Sequence, residues 1–261
     1  MAPHGPDVWV GVSDEYPWGR VYGGQVAAQG LWAATQTVHR EYRAHSLHCY
    51  FIRGGESDEP IRFEVDRIRD GRSFETRRVV ARQSGGAILN LSASFQRDED
   101  GPDVTVPEPP PEVPDPDELR RVDWGALLHR ADVPGGGHRQ RTWLRVAGPL
   151  GDDPRIHAVA HTYASDDIPM AAAERAHPLG HPEWGDTPDP GAEHEYQYMS
   201  ASLDHSIWFH RTAPADAWVL HDFRGLGVYG GRGLAIGEVW SREGLHIATV
   251  AQEVLLREAR R

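Results

Sequence analysis

The most constraining feature of this chain is an internal repeat. One block runs from Ser46-Leu47-His48 to Gly86, and a similar block runs from Ser202-Leu203-Asp204 to Gly244. The openings of the two blocks are 156 residues apart, and the glycines are 158 residues apart. A long internal repeat predicts two similar structural units. The copies differ at a few polar positions, which suggests that one copy kept a chemical site and the other became scaffold.

Composition excludes several classes of function. The 261 residues carry a formal net charge of −12, which argues against nucleic acid or an anionic membrane as the main partner. All the basic residues are arginines, so lysine chemistry is excluded. A single cysteine, Cys49, rules out an intramolecular disulfide and a cysteine-rich metal cage, and we expect it to be a small buried hydrophobe. The sequence has no signal-peptide pattern and no long apolar run, so we expect a cytoplasmic protein.

The first half reads as one helix followed by an antiparallel meander. An alanine-rich helix is predicted over 25–38, after a short strand at 8–12. Strands are predicted over 46–52, 61–69, 74–82 and 87–96, the second of which alternates apolar and charged residues. This order is typical of an α+β fold. The predicted domains are an N-terminal unit over 1–98, an acidic proline-rich linker over 99–117 and a C-terminal unit over 118–261.

The second half repeats this order. A strand is predicted over 141–146, and Asp153-Pro154 is a good start for a helix that continues to Ser165. An irregular segment over 174–198 separates this helix from the predicted strands, which cover 200–210, 218–223, 233–240 and 245–256. Gly225 to Gly230 matches the dinucleotide-binding fingerprint literally, but a strand pattern follows it where a helix is required, so we predict a glycine-rich hairpin.

Three polar residues of the second copy stand out. Asp166 lies at the end of the second helix, where burial would make its carboxylate basic enough to activate water. Ser202 and Gln252 lie on strands that should be neighbours, and repeat spacing gives Ser46 and Ser94 as their counterparts. The adjacent Asp167 is expected to lie in a solvated turn. Among the fifteen histidines, His205 and His210 should point to opposite faces of a strand, and no metal site is expected.

Longer segments of both copies resemble the acyl-CoA thioesterase II family. In the first half the resemblance lies in Trp18 to Val26, His45 to Arg53 and Asp70 to Phe74. In the second half it lies in His138 to Gln140, Trp143 to Arg145, Tyr163 to Asp166, Leu203 to His210 and Val250 to Glu253. The matches follow one another in order over nearly the whole chain. The resemblance implies a double hotdog fold, in which each domain is a central helix wrapped by a curved antiparallel sheet.

The same resemblance implies hydrolysis of a fatty or other acyl-CoA to free acid and CoA. In that family an Asp, a Ser or Thr and a Gln position the attacking water, and the matching residues are Asp166, Ser202 and Gln252. No cofactor, metal, nucleic acid or membrane partner is implied; acyl-CoA is the expected substrate, and a homo-oligomer is plausible. Arginines such as Arg72, Arg77 and Arg78 are candidates for the CoA phosphates, although a solvated strand face explains them equally well.

Two other functions remain open at this point. The same pocket could bind an acyl-CoA or an acyl carrier without hydrolysis, and retention of all three polar residues argues against this. A hotdog hydratase or dehydratase would need an aspartate–histidine pair, and the first histidine after Asp166 is His177, outside the helix. The irregular segment over 174–198 lies between two site residues and could reshape the acyl pocket.

Overall fold

A computed structural model of the protein describes residues 1–111, 113–135, 137–178 and 198–258. The first copy contains one helix and six strands, and its meander follows the predicted order. Its elements are β1 (Ala2–Pro3), β2 (Val8–Gly11), α1 (Gly23–Thr35), β3 (Tyr42–Phe51), β4 (Ile61–Asp70), β5 (Phe74–Gln83) and β6 (Gly86–Arg97).

The second copy has the same order, with two elements that the sequence pattern did not predict, β7 and α3. It also has a break at Leu203, which divides the predicted strand over 200–210 in two. Its elements are β7 (Leu128–Val133), β8 (Arg139–Val146), α2 (Pro154–Ser165), α3 (Pro169–Arg175), β9 (Tyr198–Ser202), β10 (Asp204–Phe209), β11 (Val219–Tyr229), β12 (Arg232–Ser241) and β13 (His246–Glu258). The glycine-rich segment forms the β11–β12 hairpin, as predicted, with a register shift between Gly225 and Gly227.

The strands of the described residues form one antiparallel sheet whose two halves are related by approximate twofold symmetry. Outward from the centre the first copy runs β3-β6-β5-β4-β2-β1, and the second runs β10-β13-β12-β11-β8-β7, with β9 paired to β13. The copies join through β3 and β10, where His48 lies opposite Ser206 and their side chains are hydrogen-bonded at 2.9 Å. The symmetry axis therefore passes close to this pair.

Two helices pack against each other and against the sheet. Most residues of α1 are buried, which agrees with its small, weakly polar sequence. Helix α2 begins as predicted: the Asp153 side chain accepts a hydrogen bond from the Arg155 N–H, and Pro154 occupies the first turn. Gly24 lets the start of α1 approach the end of α2, because a Cβ on Gly24 would come within 2.4 Å of the Tyr163 carbonyl oxygen. This approach brings the two helix ends to one place.

The proline-rich segment between the copies is mostly exposed, as predicted, and it runs beside the second copy. Asp103 forms an ion pair with Arg211, and Asp115 forms one with Arg242. A short 3₁₀ turn covers Pro116–Glu118. In the part of the chain that the structure describes, no helix is long and apolar enough to cross a membrane.

Candidate active site

Asp166 is the C-cap of α2 and lies against the start of α1. Its carboxylate accepts a hydrogen bond from the Gly24 N–H, and a Cβ on Gly23 would come within 2.7 Å of its Oδ2. The residue is only 6% exposed. The C-terminal dipole of α2 opposes a negative charge here, but the N-terminal N–H groups of α1 favour one. The first copy thus contributes a backbone donor, the Gly24 N–H, to a carboxylate of the second.

Ser202 and Gln252 lie beside Asp166 on neighbouring strands, as predicted. Ser202 ends β9 and pairs with Val254, two residues after Gln252 on β13. The Gln252 Nε2 donates to the Ser202 Oγ at 2.8 Å, and the Ser202 hydroxyl donates to the Asp166 Oδ1 at 3.0 Å. Gln252 is fully buried, whereas Ser202 is half-buried. The structure therefore brings the three residues into one hydrogen-bonded line.

Burial changes the acidity of this carboxyl. Desolvation, with a smaller contribution from the nearby Asp167, raises the pKa of Asp166 to about 7. Hydrogen bonds from Ser202, Gln252 and the Gly24 N–H act in the opposite direction but do not cancel the effect of burial. A carboxylate with a pKa near neutrality is a far better proton acceptor than an exposed aspartate, and a general base works best with a pKa near the working pH.

His205 lies behind Gln252 and was not predicted as part of the site. Its Nδ1 is 2.5 Å from the Gln252 Oε1, and its Nε2 is 2.8 Å from the Ser165 Oγ. Burial lowers the pKa of His205 to about 4, so the ring is neutral. Because the Gln252 oxygen can only accept, the ring proton lies on Nδ1, and the Ser165 hydroxyl donates to Nε2. His205 is buried and His210 is exposed, in agreement with the prediction that the two histidines point to opposite faces. The inward position of His205 on a strand was the feature of the sequence that could have indicated its place in the site.

Asp167 is buried in an ion pair, so the prediction of a solvated turn was wrong. Its side chain is 7% exposed, and its Oδ2 is 3.0 Å from Arg130 on β7. The Trp124 Nε1 donates to its Oδ1 at 2.7 Å. Desolvation raises the pKa of Asp167, while Arg130 and Trp124 oppose the rise. The sequence did not indicate this ion pair, because Arg130 and Asp167 are 37 positions apart.

Aromatic side chains from both copies surround this end of the helices. Tyr22, the N-cap residue of α1, donates its hydroxyl to the Tyr163 carbonyl oxygen at 2.9 Å. Its ring also packs edge-on against the rings of Tyr163 and Trp124, at centroid distances of 5.0 and 5.2 Å. Trp18 and Tyr16 stack beside them at 5.1 Å. This aromatic cluster reduces the access of water to the carboxylates of Asp166 and Asp167.

The strand registers identify the counterpart of Ser202 in the first copy. Ser202 lies opposite Val254, and the strand is interrupted immediately afterwards. Ala44 lies opposite Phe95, and the register of β3 shifts immediately afterwards. The counterpart is therefore Ala44, and the prediction of Ser46 was wrong by two residues. The Ser-Leu dipeptide that occurs in both copies therefore does not occupy equivalent positions in the two structures. The equivalent positions are the break after Ser202 and the register shift after Ala44.

The counterpart of Gln252 follows from the same pairs. Gln252 precedes Val254 by two residues on β13, and Ala93 precedes Phe95 by two residues on β6. The counterpart is thus Ala93, not Ser94 as predicted. Both hydrogen-bonding residues of the second copy are replaced by alanine in the first. The polar difference between the two copies is therefore larger than the predicted counterparts implied, because alanine has no hydrogen-bonding group in its side chain and serine has one.

The other residues considered as candidates for binding CoA, for catalysis or for a metal either lie away from this site or have a structural role. The Arg77 guanidinium is buried, contacts Glu75 and Thr37, and is not available to a phosphate, so it is excluded as a CoA ligand. Arg78 is exposed and forms an ion pair with Asp66. Cys49 is buried, as predicted. No group of three or more potential metal ligands occurs within the described ranges. Residues 179–197 of the irregular segment, including His181 and His194, lie outside the described residues.

Comparison with known proteins gives one consistent result. A family model of the acyl-CoA thioesterase N-terminal domain matches residues 12–96, and one of the C-terminal domain matches residues 98–256. The chain is 32% identical to mouse acyl-coenzyme A thioesterase 8, over 97% of this chain and 83% of that protein. It is also 32% identical to acyl-CoA thioesterase 2 of Haemophilus influenzae, over 96% of this chain and 92% of that protein.

Solved structures show the same fold. An acyl-CoA thioesterase II from Mycobacterium marinum superimposes with a TM-score of 0.79 at 34% identity, covering 97% of this chain and 94% of that one. A protein from Alicyclobacillus acidocaldarius described as having a hot dog fold superimposes with a TM-score of 0.74 at 20% identity, covering 97% and 93%. The expected α+β double hotdog architecture is therefore confirmed.

Proposed function

Because this chain belongs to the acyl-CoA thioesterase family, we propose that it hydrolyses an acyl-CoA thioester with water activated by Asp166 and held by Ser202 and Gln252. The observation that carries this proposal is the hydrogen-bonded line of these three side chains, which ends on a buried carboxyl whose pKa is about 7. General-base catalysis of this kind contributes about 10²–10⁴-fold to a rate.

In the proposed reaction one water molecule is consumed for each thioester. Asp166 accepts a proton from the water as the water oxygen attacks the thioester carbonyl carbon. The tetrahedral intermediate then collapses with cleavage of the carbon–sulfur bond, and the CoA thiolate leaves. The proton held by Asp166 returns to this sulfur, so that free acid and CoA thiol are formed and the enzyme is unchanged. No acyl-enzyme is formed in this scheme.

The start of α1 is the proposed donor for the oxyanion. N–H groups in the first turn of a helix have no intrahelical acceptor and carry partial positive charge. The Gly24 N–H already donates to Asp166, and Gly23 lies directly beside that carboxylate. We assign the Gly23 N–H to the developing oxyanion. Donors that are fixed in advance at such a position stabilise a transition state by about 3–4 kcal/mol.

His205 is proposed as a positioning residue. By donating from Nδ1 to the Gln252 oxygen, it turns the Gln252 amide so that its nitrogen faces Ser202. That orientation makes the Ser202 hydroxyl accept from Gln252 and donate to Asp166. A reversed amide would present an acceptor to Ser202 and would break the line of donors.

Thiol release by the purified protein tests the proposal. Acyl-CoA substrates of graded chain length are incubated with the wild type and with Asp166→Asn, and free thiol is measured with a colorimetric reagent. We expect release by the wild type that increases with pH through about 7, and a loss of about 10²–10⁴-fold in the variant.

Two results would reject the mechanism or the activity. Unimpaired release by a folded Asp166→Asn protein would remove Asp166 from the mechanism. Tight binding of every acyl-CoA without turnover would favour a non-hydrolytic binding protein. Ser46→Ala is the matched control, because Ser46 is buried on β3 of the first copy and contributes no group to the proposed site.

A further inference from the structure

The residues around Asp166 form a closed loop of contacts that runs through both copies. The Asp166 carboxylate accepts from the Gly24 N–H at the start of α1. A Cβ on Gly24 would come within 2.5 Å of the Tyr22 Cε1, so the Tyr22 ring lies directly against Gly24. The Tyr22 ring packs against Trp124 at 5.2 Å, and the Trp124 Nε1 donates at 2.7 Å to Asp167, the residue after Asp166. This contact loop therefore begins and ends at the end of α2.

The contact loop is anchored in the sheet by one arginine. The Arg130 guanidinium donates to the Asp167 Oδ2 at 3.0 Å and to both oxygens of Asp132 at 3.0 and 3.2 Å. The Thr142 hydroxyl also donates to Asp132, at 2.7 Å. The three charged side chains are 16% exposed or less, and separating the members of such a buried pair is strongly unfavourable. Arg130 thus ties the end of α2 to β7.

Trp124 connects the contact loop to the segment that precedes α1. Besides Tyr22, its ring contacts Trp18 at a centroid distance of 5.2 Å and Tyr16 at 5.9 Å. These three residues lie between β2 and α1 in the first copy. A tryptophan N–H that is partly buried needs an acceptor, and Asp167 supplies one. The hydrogen bond therefore fixes the position of Trp124, and Trp124 holds the first-copy segment against the end of α2.

Asp167 is an unfavourable residue for stability at its position. The C-terminal dipole of α2 opposes its negative charge, and the adjacent residue, Asp166, carries a second carboxyl. Desolvation also raises the pKa of Asp167. Well-packed apolar residues in place of a buried ion pair are often equally stable or more stable. The fold alone does not account for Asp167, whereas a role in holding the contact loop beside Asp166 does.

We propose that Asp167, Arg130 and Trp124 are positioning residues for the hydrolysis proposed above, and that they hold the start of α1 and the aromatic rings before it against the proposed general base. This inference rests on the proposed function, because Asp166 is the group that the contact loop positions. The loop keeps the first N–H groups of α1 in place beside the carboxylate, and its rings exclude water from it. None of the three positioning residues reacts with the substrate.

Opening the contact loop should lower the pKa of Asp166. Desolvation is the largest cause of its raised pKa, and the Gly24 hydrogen bond, which acts in the opposite direction, is a smaller one. Hydration of the carboxylate therefore outweighs the loss of that hydrogen bond. Burial raises the pKa values of Tyr22 and Cys49 well above their usual range and lowers the pKa of His205 to about 4. These three neighbours stay neutral between pH 5 and pH 8 and do not obscure the titration of Asp166.

The pH dependence of stability tests the proposal without any need for turnover. Urea denaturation of a protein with and without Asp166→Asn gives the pH at which the contribution of Asp166 to stability is lost, which is about 7 in the otherwise unchanged chain. Trp124→Ala should move this midpoint at least about one unit to lower pH, because water reaches the carboxylate and the pKa in the folded protein falls. Trp208→Ala is the matched control: Trp208 is 37% exposed on β10, packs against His48, and should leave the midpoint unchanged.

Thiol release tests the hydrogen bond between Trp124 and Asp167. Trp124→Phe keeps an aromatic ring but removes the donor, and Asp167→Leu removes the acceptor. Arg130 keeps its paired contact with Asp132 in both variants. Each variant should lower kcat at least about tenfold at pH 8 and change KM less than about twofold, because misplaced groups slow the chemical step. Since both remove the same bond, the double variant should be no more than about twofold slower than the slower single variant.

Three results would overturn the proposal. These are an unmoved midpoint in Trp124→Ala, an equal shift in Trp208→Ala, and losses of kcat that multiply in the double variant. Where Trp124→Ala does not fold, Trp124→Phe is measured in its place with the same expected direction. A protein that binds acyl-CoA without turnover still yields the midpoints, so failure of the proposed hydrolysis is distinguishable from failure of this inference.

Discussion

Replacing Asp166 by Asn should change stability in a pH-dependent way as well as reduce activity. The carboxyl is buried, and its pKa is raised from 3.8 to about 7 in the folded protein. Because the folded pKa lies above the unfolded one, protonation stabilises the fold at low pH. This contribution is fully present below about pH 3.8 and is lost as the pH rises through about 7. Asn carries no charge at any pH and does not show this loss.

The size of the effect follows from the two pKa values. A difference of about three pKa units at about 1.4 kcal/mol each gives about 4 kcal/mol in total. About 2–3 kcal/mol of this falls between pH 5 and pH 8. Asn also leaves one of the donors that now reach Asp166 without an acceptor, at a cost of about 1–3 kcal/mol. That cost does not vary with pH, so only the pH dependence of the difference reports on the carboxyl.

Urea denaturation of both proteins at pH 5, 6, 7 and 8 measures this difference. We expect the free energy of unfolding of Asp166→Asn, minus that of the wild type, to increase by about 2–3 kcal/mol from pH 5 to pH 8. The increase should be accompanied by the loss of thiol release proposed above. A difference that stays constant over this range would show that Asp166 has an ordinary pKa, and the argument for a general base would then fail.

Three further substitutions test neighbouring groups. Gly23→Ala should reduce kcat at least about tenfold and lower the free energy of unfolding by about 1–3 kcal/mol, because its Cβ would come within 2.7 Å of the Asp166 Oδ2 and 3.0 Å of the Phe51 ring. Thiol release and urea denaturation measure these two effects, and full activity of the folded variant would contradict the prediction. His205→Leu should reduce kcat and raise the pKa of Asp166 in the pH–rate profile, because Gln252 is no longer held as a donor. An unchanged profile would mean that His205 has only a packing role. Arg77→Met should lower the free energy of unfolding by about 3–5 kcal/mol, because it leaves the buried Glu75 carboxylate unpaired. Activity per folded molecule should not change. Urea denaturation measures the loss of stability, and a smaller loss would contradict the prediction.

Elements with a clear local signal could be predicted from the sequence. The alternation of apolar and charged residues over Ile61–Asp70 identified β4, because one face of that strand is buried and the other is exposed. Asp153-Pro154 identified the start of α2, because capping depends on residues adjacent in the chain. In both cases the forces that set the structure act within a few residues, so the sequence contains the whole signal.

Elements that depend on distant partners could not be predicted in this way. Strand β7 was missed because Arg130 and Asp132 interrupt its apolar pattern; in the structure the two side chains pair with each other, and Arg130 also pairs with Asp167. The environment of Asp166 was predicted only in part. Burial at the end of α2 could be anticipated, but the approach of α1, with its Gly24 N–H, depends on the packing of the two copies.

The proposed restriction of catalysis to the second copy has a physical reason. Holding one ionised carboxyl at this depth costs about 4 kcal/mol above pH 7, a large part of the stability of an ordinary domain. A second identical site would double that cost. In the first copy the C-cap residue of α1, which corresponds to Asp166 at the end of α2, is Gln36; this residue carries no charge and so imposes no such cost. That copy still supplies the start of α1 to the proposed catalytic site, so neither copy alone contains all the groups of that site.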